Sequence, residues 1–112
     1  MEVRLTPEAR EELRSLPLPE RAAMLSAMKK LEAGGATLGA PHTSQVKGST
    51  VRELRPRRGR SPWRGLYRRV GDTMVIAAIA PEAESKRQGF DRAVRHAEER
   101  LAKIVDEGGK RT

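Results

Sequence analysis

Apolar and polar residues alternate at the start of the chain, with Val3 and Leu5 set against Glu2 and Arg4, and this predicts a short strand ending at Thr6. Thr6 then reads as a helix N-cap, with Pro7 at the first helical position and Glu8 in the first turn, where the helix dipole is positive. Ala9, Leu13 and Leu16 give that helix one apolar face. Pro17 and Pro19 stop it and restart a second helix, in which Ala22, Met24, Leu25, Met28 and Leu31 recur at helical spacing. Gly34 and Gly35 end the run, so a helical hairpin is expected, with Met24 and Met28 serving packing alone.

The stretch from Ala36 to Thr50, rich in Gly, Ser, Thr and Pro, reads as a long surface connection. Val51 to Arg55 alternates as a strand, with Leu54 facing away from Glu53 and Arg55. Pro56, Gly59 and Pro62 break the chain into a loop, Trp63 to Val70 resumes as a strand, and Gly71-Asp72 turns it into a third strand from Thr73 to Ala80. These three form an antiparallel meander. The last is apolar throughout, which implies cover on both faces and a central place in the sheet.

From Glu84 to Asp106 a final helix carries Phe90, Ala93, Val94, Ala97, Leu101 and Ile104 on one stripe, with a stop at Gly108-Gly109 and a frayed tail over 110–112. The expected fold is α+β and spans residues 1–112 as one domain. A small antiparallel sheet, in β-α-α-β-β-β-α order, carries the hairpin on one face and is completed by the C-terminal helix.

Charge changes this picture at one place. Between Arg52 and Arg69 stand eight arginines (52, 55, 57, 58, 60, 64, 68 and 69) against Glu53 alone, a local +7 in a chain of formal net charge +8. Residues 1–33 and 84–107 each hold six basic and six acidic side chains, so the excess belongs to one site. A field concentrated this way attracts a polyanion over roughly 8 to 10 Å, and guanidinium forks match phosphate oxygens in pairs. Nucleic acid is the expected partner; the bland alternative is a basic surface kept for solubility.

A chain of 112 residues has room for a single core, and with one Trp, one Tyr and one Phe that core is built from aliphatic residues. Having no cysteine, it can form neither disulfides nor cysteine-based zinc sites, and a reducing cytoplasm is the expected home. His42 and His96 are too few for a histidine metal cluster, and no metal or cofactor is expected. The longest apolar run, Met74 to Ala80, is far short of the roughly 20 residues that cross a bilayer, and the alternating charge over the first residues leads us to expect no secretory signal.

Four short segments follow one another in order: Leu38-Gly39-x-Pro41, Val46-Lys47-Gly48, Glu53-Leu54-Arg55 and Arg64-Gly65-Leu66-Tyr67. With the order of elements around them, they resemble the phage-derived HigB-like branch of the RelE/ParE superfamily of bacterial toxins. The resemblance covers nearly the whole chain. It implies a toxin of a type II toxin-antitoxin system, whose basic concave surface enters the ribosome and cuts messenger RNA without metal. It also implies a cognate antitoxin, expected to be a helix-turn-helix protein, with operator DNA engaged only through the toxin-antitoxin complex. A ParE-like inhibitor of DNA gyrase and a non-catalytic nucleic-acid module remain open beside it.

Metal-free cleavage needs a group to take the 2′-hydroxyl proton, another to protonate the leaving 5′-oxygen, and cations for the phosphorane charge. Arginine suits only the last task, because it keeps its proton above pH 12. Arg55 and Arg64, on the strands that carry the Glu53-Leu54-Arg55 and Arg64-Gly65-Leu66-Tyr67 segments of the resemblance, are the expected charge clamps, aimed at one phosphate from adjacent strands. Lys86 is the candidate for a basic motif that the family places directly after the last strand. Here Pro81 to Ser85 intervene, and the alternative place for Lys86 is a neutral helix surface. Lys47, Arg57, Arg58, Arg60, Arg68 and Arg87 are expected to hold RNA backbone. No acid or base is assigned: Tyr67 reads as core, His96 as a solvated or packed side chain, and Glu53 as an ion-pair organiser. Trp63 either stacks on a base or caps the sheet.

Overall fold

The computed structural model describes residues 1–104 in full and the path of the last helix to Lys110. Strand β1 (Glu2–Leu5) leads into helix α1 (Pro7–Arg14), whose N-cap is Thr6, as expected; its Oγ1 accepts from Ala9 N at 3.1 Å. Helix α2 (Leu18–Gly34) completes the hairpin. Strands β2 (Thr43–Gln45), β3 (Arg52–Leu54), β4 (Trp63–Val70) and β5 (Thr73–Pro81) follow, then helix α3 (Arg87–Lys110).

Four expectations need correction. The connection from Ala36 to Thr50 is not structureless: Thr43, Ser44 and Gln45 pair with Leu54, Glu53 and Arg52 as β2, and Thr43 is buried. Its polar composition hid it. β3 ends at Leu54, so Arg55 lies just beyond the strand, its N–H donating to His42 O at 2.8 Å. The sheet is mixed, because β1 runs parallel to β5 beside it, from Glu2↔Thr73 to Leu5↔Ile76. The chain between them, the helical hairpin followed by β2, β3 and β4, supplies the long connection that parallel strands require. Finally, α3 starts at Arg87 rather than Glu84 and runs through Gly108 and Gly109 to Lys110. Glycine weakens a helix by about 1 kcal/mol per residue without forbidding helical torsions. The tail residues 111 and 112 lie outside the described residues.

The strand order is β1-β5-β4-β3-β2, which places β5 inside the sheet as its apolar sequence implies. Its two faces feed two cores. Met74, Ile76 and Ile79 pack with Leu54 and Tyr67 against Leu13, Met24 and Leu31 of the hairpin. Val75, Ala77, Ala78 and Ala80 pack with Val51 and Leu66 against Phe90, Ala97 and Leu101 of α3. Ala77 is an extra residue: Leu66 pairs with Ala78 and Tyr67 with Ile76, a bulge that turns Ala77 and Ala78 toward the same helix. Gly65 lets α2 close on the sheet, since a Cβ there would stand 3.3 Å from the Met24 sulfur.

β1 stops before β5 does, which would leave bare backbone at the sheet edge. Side chains cover it. Ile79 N donates to Glu12 Oε1 (3.0 Å), and Ala77 O accepts from Thr6 Oγ1 (3.3 Å) and Arg100 Nη1 (2.8 Å). Arg100 also forks onto Glu12, both bonds at 3.1 Å, and so ties α3 to α1. Among the described residues no helix is long and apolar enough to cross a membrane.

Candidate nucleic-acid interface

Arg64 sits near the start of β4 on the α3 side of the sheet, and its side chain is only 6 % exposed. A guanidinium has five N–H donors in a fixed fork. Five acceptors meet them: Glu53 Oε1 (3.2 Å) at Nε, Ser61 O (2.6 Å) and Trp63 O (2.9 Å) at Nη1, and Gly59 O (3.2 Å) and Glu82 Oε2 (3.4 Å) at Nη2. No donor remains for a phosphate. Arg64 instead joins the basic loop, β3 and the turn after β5 into one unit.

Arg55 is its counterpart and differs in every respect that matters for binding. It is 33 % exposed and commits one N–H, Nη1 to Glu53 Oε1 at 2.9 Å, leaving four without a protein acceptor among the described residues. Its guanidinium lies over Gly59, where a Cβ would stand 2.5 Å from Nη2. Glycine at this point also supplies the φ of +91° that the turn needs.

The loop between them is strained and braced. Arg57 and Arg58 both take left-handed torsions, φ 54° and 57°, which cost non-glycine residues about 1 kcal/mol each. Arg57 is anchored to α2 through Glu20 Oε2 (2.7 Å) and Pro19 O (3.2 Å). The buried Ser61 hydroxyl donates to Glu20 Oε1 at 2.7 Å. These two donors, Ser61 first and Arg57 second, hold the Glu20 carboxyl below its ordinary value of 4.5. Arg58 has no carboxylate partner among the described residues and points its charge into solvent beside the exposed Arg60.

The other expected contacts fall on separate surfaces. Lys47 and Arg87 line a cleft of about 420 Å³ between the β2-β3 connection and α3, where Arg95 brings the cations to three and Glu53, Asp91 and Glu98 match them. Lys86 and Arg87 line a second cleft beside Trp63. Arg55 and Arg57 border a third, against α2. Arg68 lies four residues from Arg64 along β4, about 13 Å away, and donates to Thr50 Oγ1 at 2.8 Å. The expectation of two equivalent clamps aimed at one phosphate is thus replaced by a buried arginine that braces the basic loop beside Arg55. Tyr67 is core, its hydroxyl accepting from Arg52 Nε at 3.4 Å, and His96 is exposed. Glu53 is the ion-pair organiser, bonded to both Arg55 and Arg64.

Glu20, Ser61 and Glu82 were not legible as site residues. Glu20 is remote in sequence and Glu82 falls in the insertion that interrupts the family pattern. Glu82 ties that insertion down: its Oε2 meets Arg64, its Oε1 accepts from Ser85 Oγ (3.0 Å), and its carbonyl accepts from Lys86 N (3.1 Å).

Two solved structures share this architecture. One is from a chromosomal ParDE toxin-antitoxin system of P. aeruginosa, with TM-score 0.55 and 22% identity, covering 72% of this chain and 95% of that one. The other is from the toxin-antitoxin complex RelBE2 of Mycobacterium tuberculosis, with TM-score 0.54 and 27% identity, covering 72% of this chain and 96% of that one. No curated protein matches the sequence significantly. The family model described as phage-derived protein Gp49-like matches residues 11–102, from α1 through the sheet to α3. The chain therefore belongs to the phage-derived Gp49-like family and has the fold of the RelE/ParE toxins.

Proposed function

We propose that this protein is the toxin of a type II toxin-antitoxin system and a metal-independent endoribonuclease acting on messenger RNA at the ribosome. The contrast between Arg55 and Arg64 carries the reading: one guanidinium, that of Arg64, is fully engaged and buried, the other is a third exposed, positioned by a shared carboxylate and rich in free donors. In the reaction the 2′-oxygen attacks phosphorus and the bond to the 5′-oxygen breaks, leaving a 2′,3′-cyclic phosphate and a 5′-hydroxyl. Arg55 stabilises the charge that gathers on the phosphorane oxygens. Arg64 is a positioning residue that sets Arg55 through Glu53 and the turn before Lys86 through Glu82. Arg58 and Arg60 track the backbone of the message, Lys86 and Arg87 meet it from the other side, and Lys47 and Arg68 extend the basic surface.

The two similar structures come from toxin-antitoxin systems, which supports a cognate antitoxin as partner, a cytoplasmic setting, and operator DNA reached through that complex. The chain expressed alone in bacteria should arrest growth and create new RNA ends bearing cyclic phosphates, and Arg55→Ala should abolish both.

One observation favours a second reading. The similarity to the ParDE structure, together with the Pro81 to Ser85 insertion, fits an inhibitor of DNA gyrase. DNA damage on expression, with message left intact, would establish that reading and remove the first.

A further inference from the structure

We propose that the cleft between Trp63, the Pro81 end of β5 and the first turns of α3 is a base-binding subsite for single-stranded RNA. In it the Trp63 indole stacks one base, and Lys86, Arg87 and Arg92 hold the adjoining phosphates. The identity of the polymer rests on the ribonuclease reading; the existence of the subsite does not.

The cleft has a volume of about 610 Å³, within the range of small-molecule sites. Its charge is one-signed: three cations and no acid line it, whereas the cleft at Lys47 is balanced. Lys86 and Arg92 have no carboxylate within 4.0 Å among the described residues. Arg87 meets only Asp91, at 3.4 Å, in an exposed pair that is weak in water. The other clusters of arginine have already been partly neutralised by Glu20, Glu53 and Glu82.

Trp63 is the chain's single tryptophan, and it is half-buried. One side packs against the core beneath the hairpin, and the other forms the wall of the cleft. Its backbone is held on three sides: Trp63 N donates to Ser61 Oγ (3.2 Å), Trp63 O accepts from Arg64 (2.9 Å), and the residue pairs with Pro81. The backbone beneath the ring is therefore fixed, and only the two side-chain torsions remain to be ordered on binding. Opposite it, Gly89 brings α3 onto Pro81, where a Cβ would stand 3.0 Å from the ring. A half-buried indole beside weakly paired cations is the chemistry of an unpaired base with its phosphates, since each base offers a face to stack upon.

The single tryptophan is also the probe. A short 2′-O-methyl oligoadenylate, which cannot be cut because its 2′-oxygen is blocked, should quench Trp63 fluorescence on titration. By anisotropy of a labelled oligomer, Trp63→Ala should bind about tenfold more weakly and Trp63→Phe nearly as well as the parent. Lys86→Gln and Arg92→Gln should each lower the salt slope by about 0.7 while leaving the thermal transition in place. Equal quenching by a duplex of the same length, or by polyglutamate, would overturn the proposal, because neither offers a free base face. So would unaltered binding by a folded Trp63→Ala protein. Loss of quenching with RNA cleavage retained would sink the subsite alone; quenching without cleavage would sink the ribonuclease reading alone.

Discussion

Arg55 Nη1 and Arg64 Nε donate to the same oxygen, Glu53 Oε1, at 2.9 and 3.2 Å. Two arginines that look equivalent in sequence are thereby split into different tasks. The carboxylate lowers the repulsion between them, and the buried partner fixes where the exposed one stands.

Replacing these two residues should give opposite signatures. Arg64→Ala leaves Glu53 and Glu82 short of a partner and strips donors from three carbonyls. It should destabilise the fold by about 3 kcal/mol or more, read as a lower urea midpoint. Arg55→Ala should cost less than about 1 kcal/mol, because its ion pair is a third exposed, and should still lose RNA cleavage. An Arg64→Ala protein with unchanged stability would remove the positioning role.

Arg58 stores strain without an ion pair to offset it. Arg58→Gly should relieve the left-handed torsion, keeping the melting temperature level or raising it by the equivalent of about 1 kcal/mol. The same change removes a solvent-facing charge, so RNA affinity should fall and its salt dependence flatten. Stability and binding moving together would contradict this account.

Acid should loosen the basic loop through Glu20. Its carboxyl titrates lower in the fold than its ordinary 4.5, so the unfolded chain binds the proton more readily. The resulting stability is present above about pH 4.5 and is lost as pH falls through the lower folded value. Glu20→Gln should therefore lower the melting temperature at pH 7 and differ little from the parent in strong acid. A gap that stays constant with pH would show that the ionised carboxylate's bonds to Ser61 and Arg57 contribute nothing.

The strap between α3 and α1 is testable in the same way. Arg100→Met keeps much of the aliphatic stem but removes the fork onto Glu12 and the bond to Ala77 O, and should cost about 1 to 2 kcal/mol. Hydrogen exchange should quicken first at Ile79, whose N–H depends on Glu12 being held in place.

Much of this protein was decided by local physics that reads directly from the chain. Thr6-Pro7-Glu8 starts a helix because a hydroxyl cap, a fixed φ and an acid in the first turn all favour the same geometry. The apolar run through β5 required cover on both faces, and the gathering of eight arginines marked one stretch of the chain as strongly basic. What only the tertiary structure decided was which of those charges are free. Glu20 and Glu82 come from segments remote in sequence, and they, with Glu53, neutralise Arg57 and Arg64 while leaving Arg58 and Arg60 in solvent. Strand β2 was likewise invisible, because three polar residues acquire strand geometry from the β3 edge they pair with rather than from their own pattern. Periodicity records what a segment does with its neighbours in sequence. Ion pairing depends on distances across the fold, and one arginine beside another in sequence can be a buried brace or an open hand depending on a carboxylate that arrives from elsewhere.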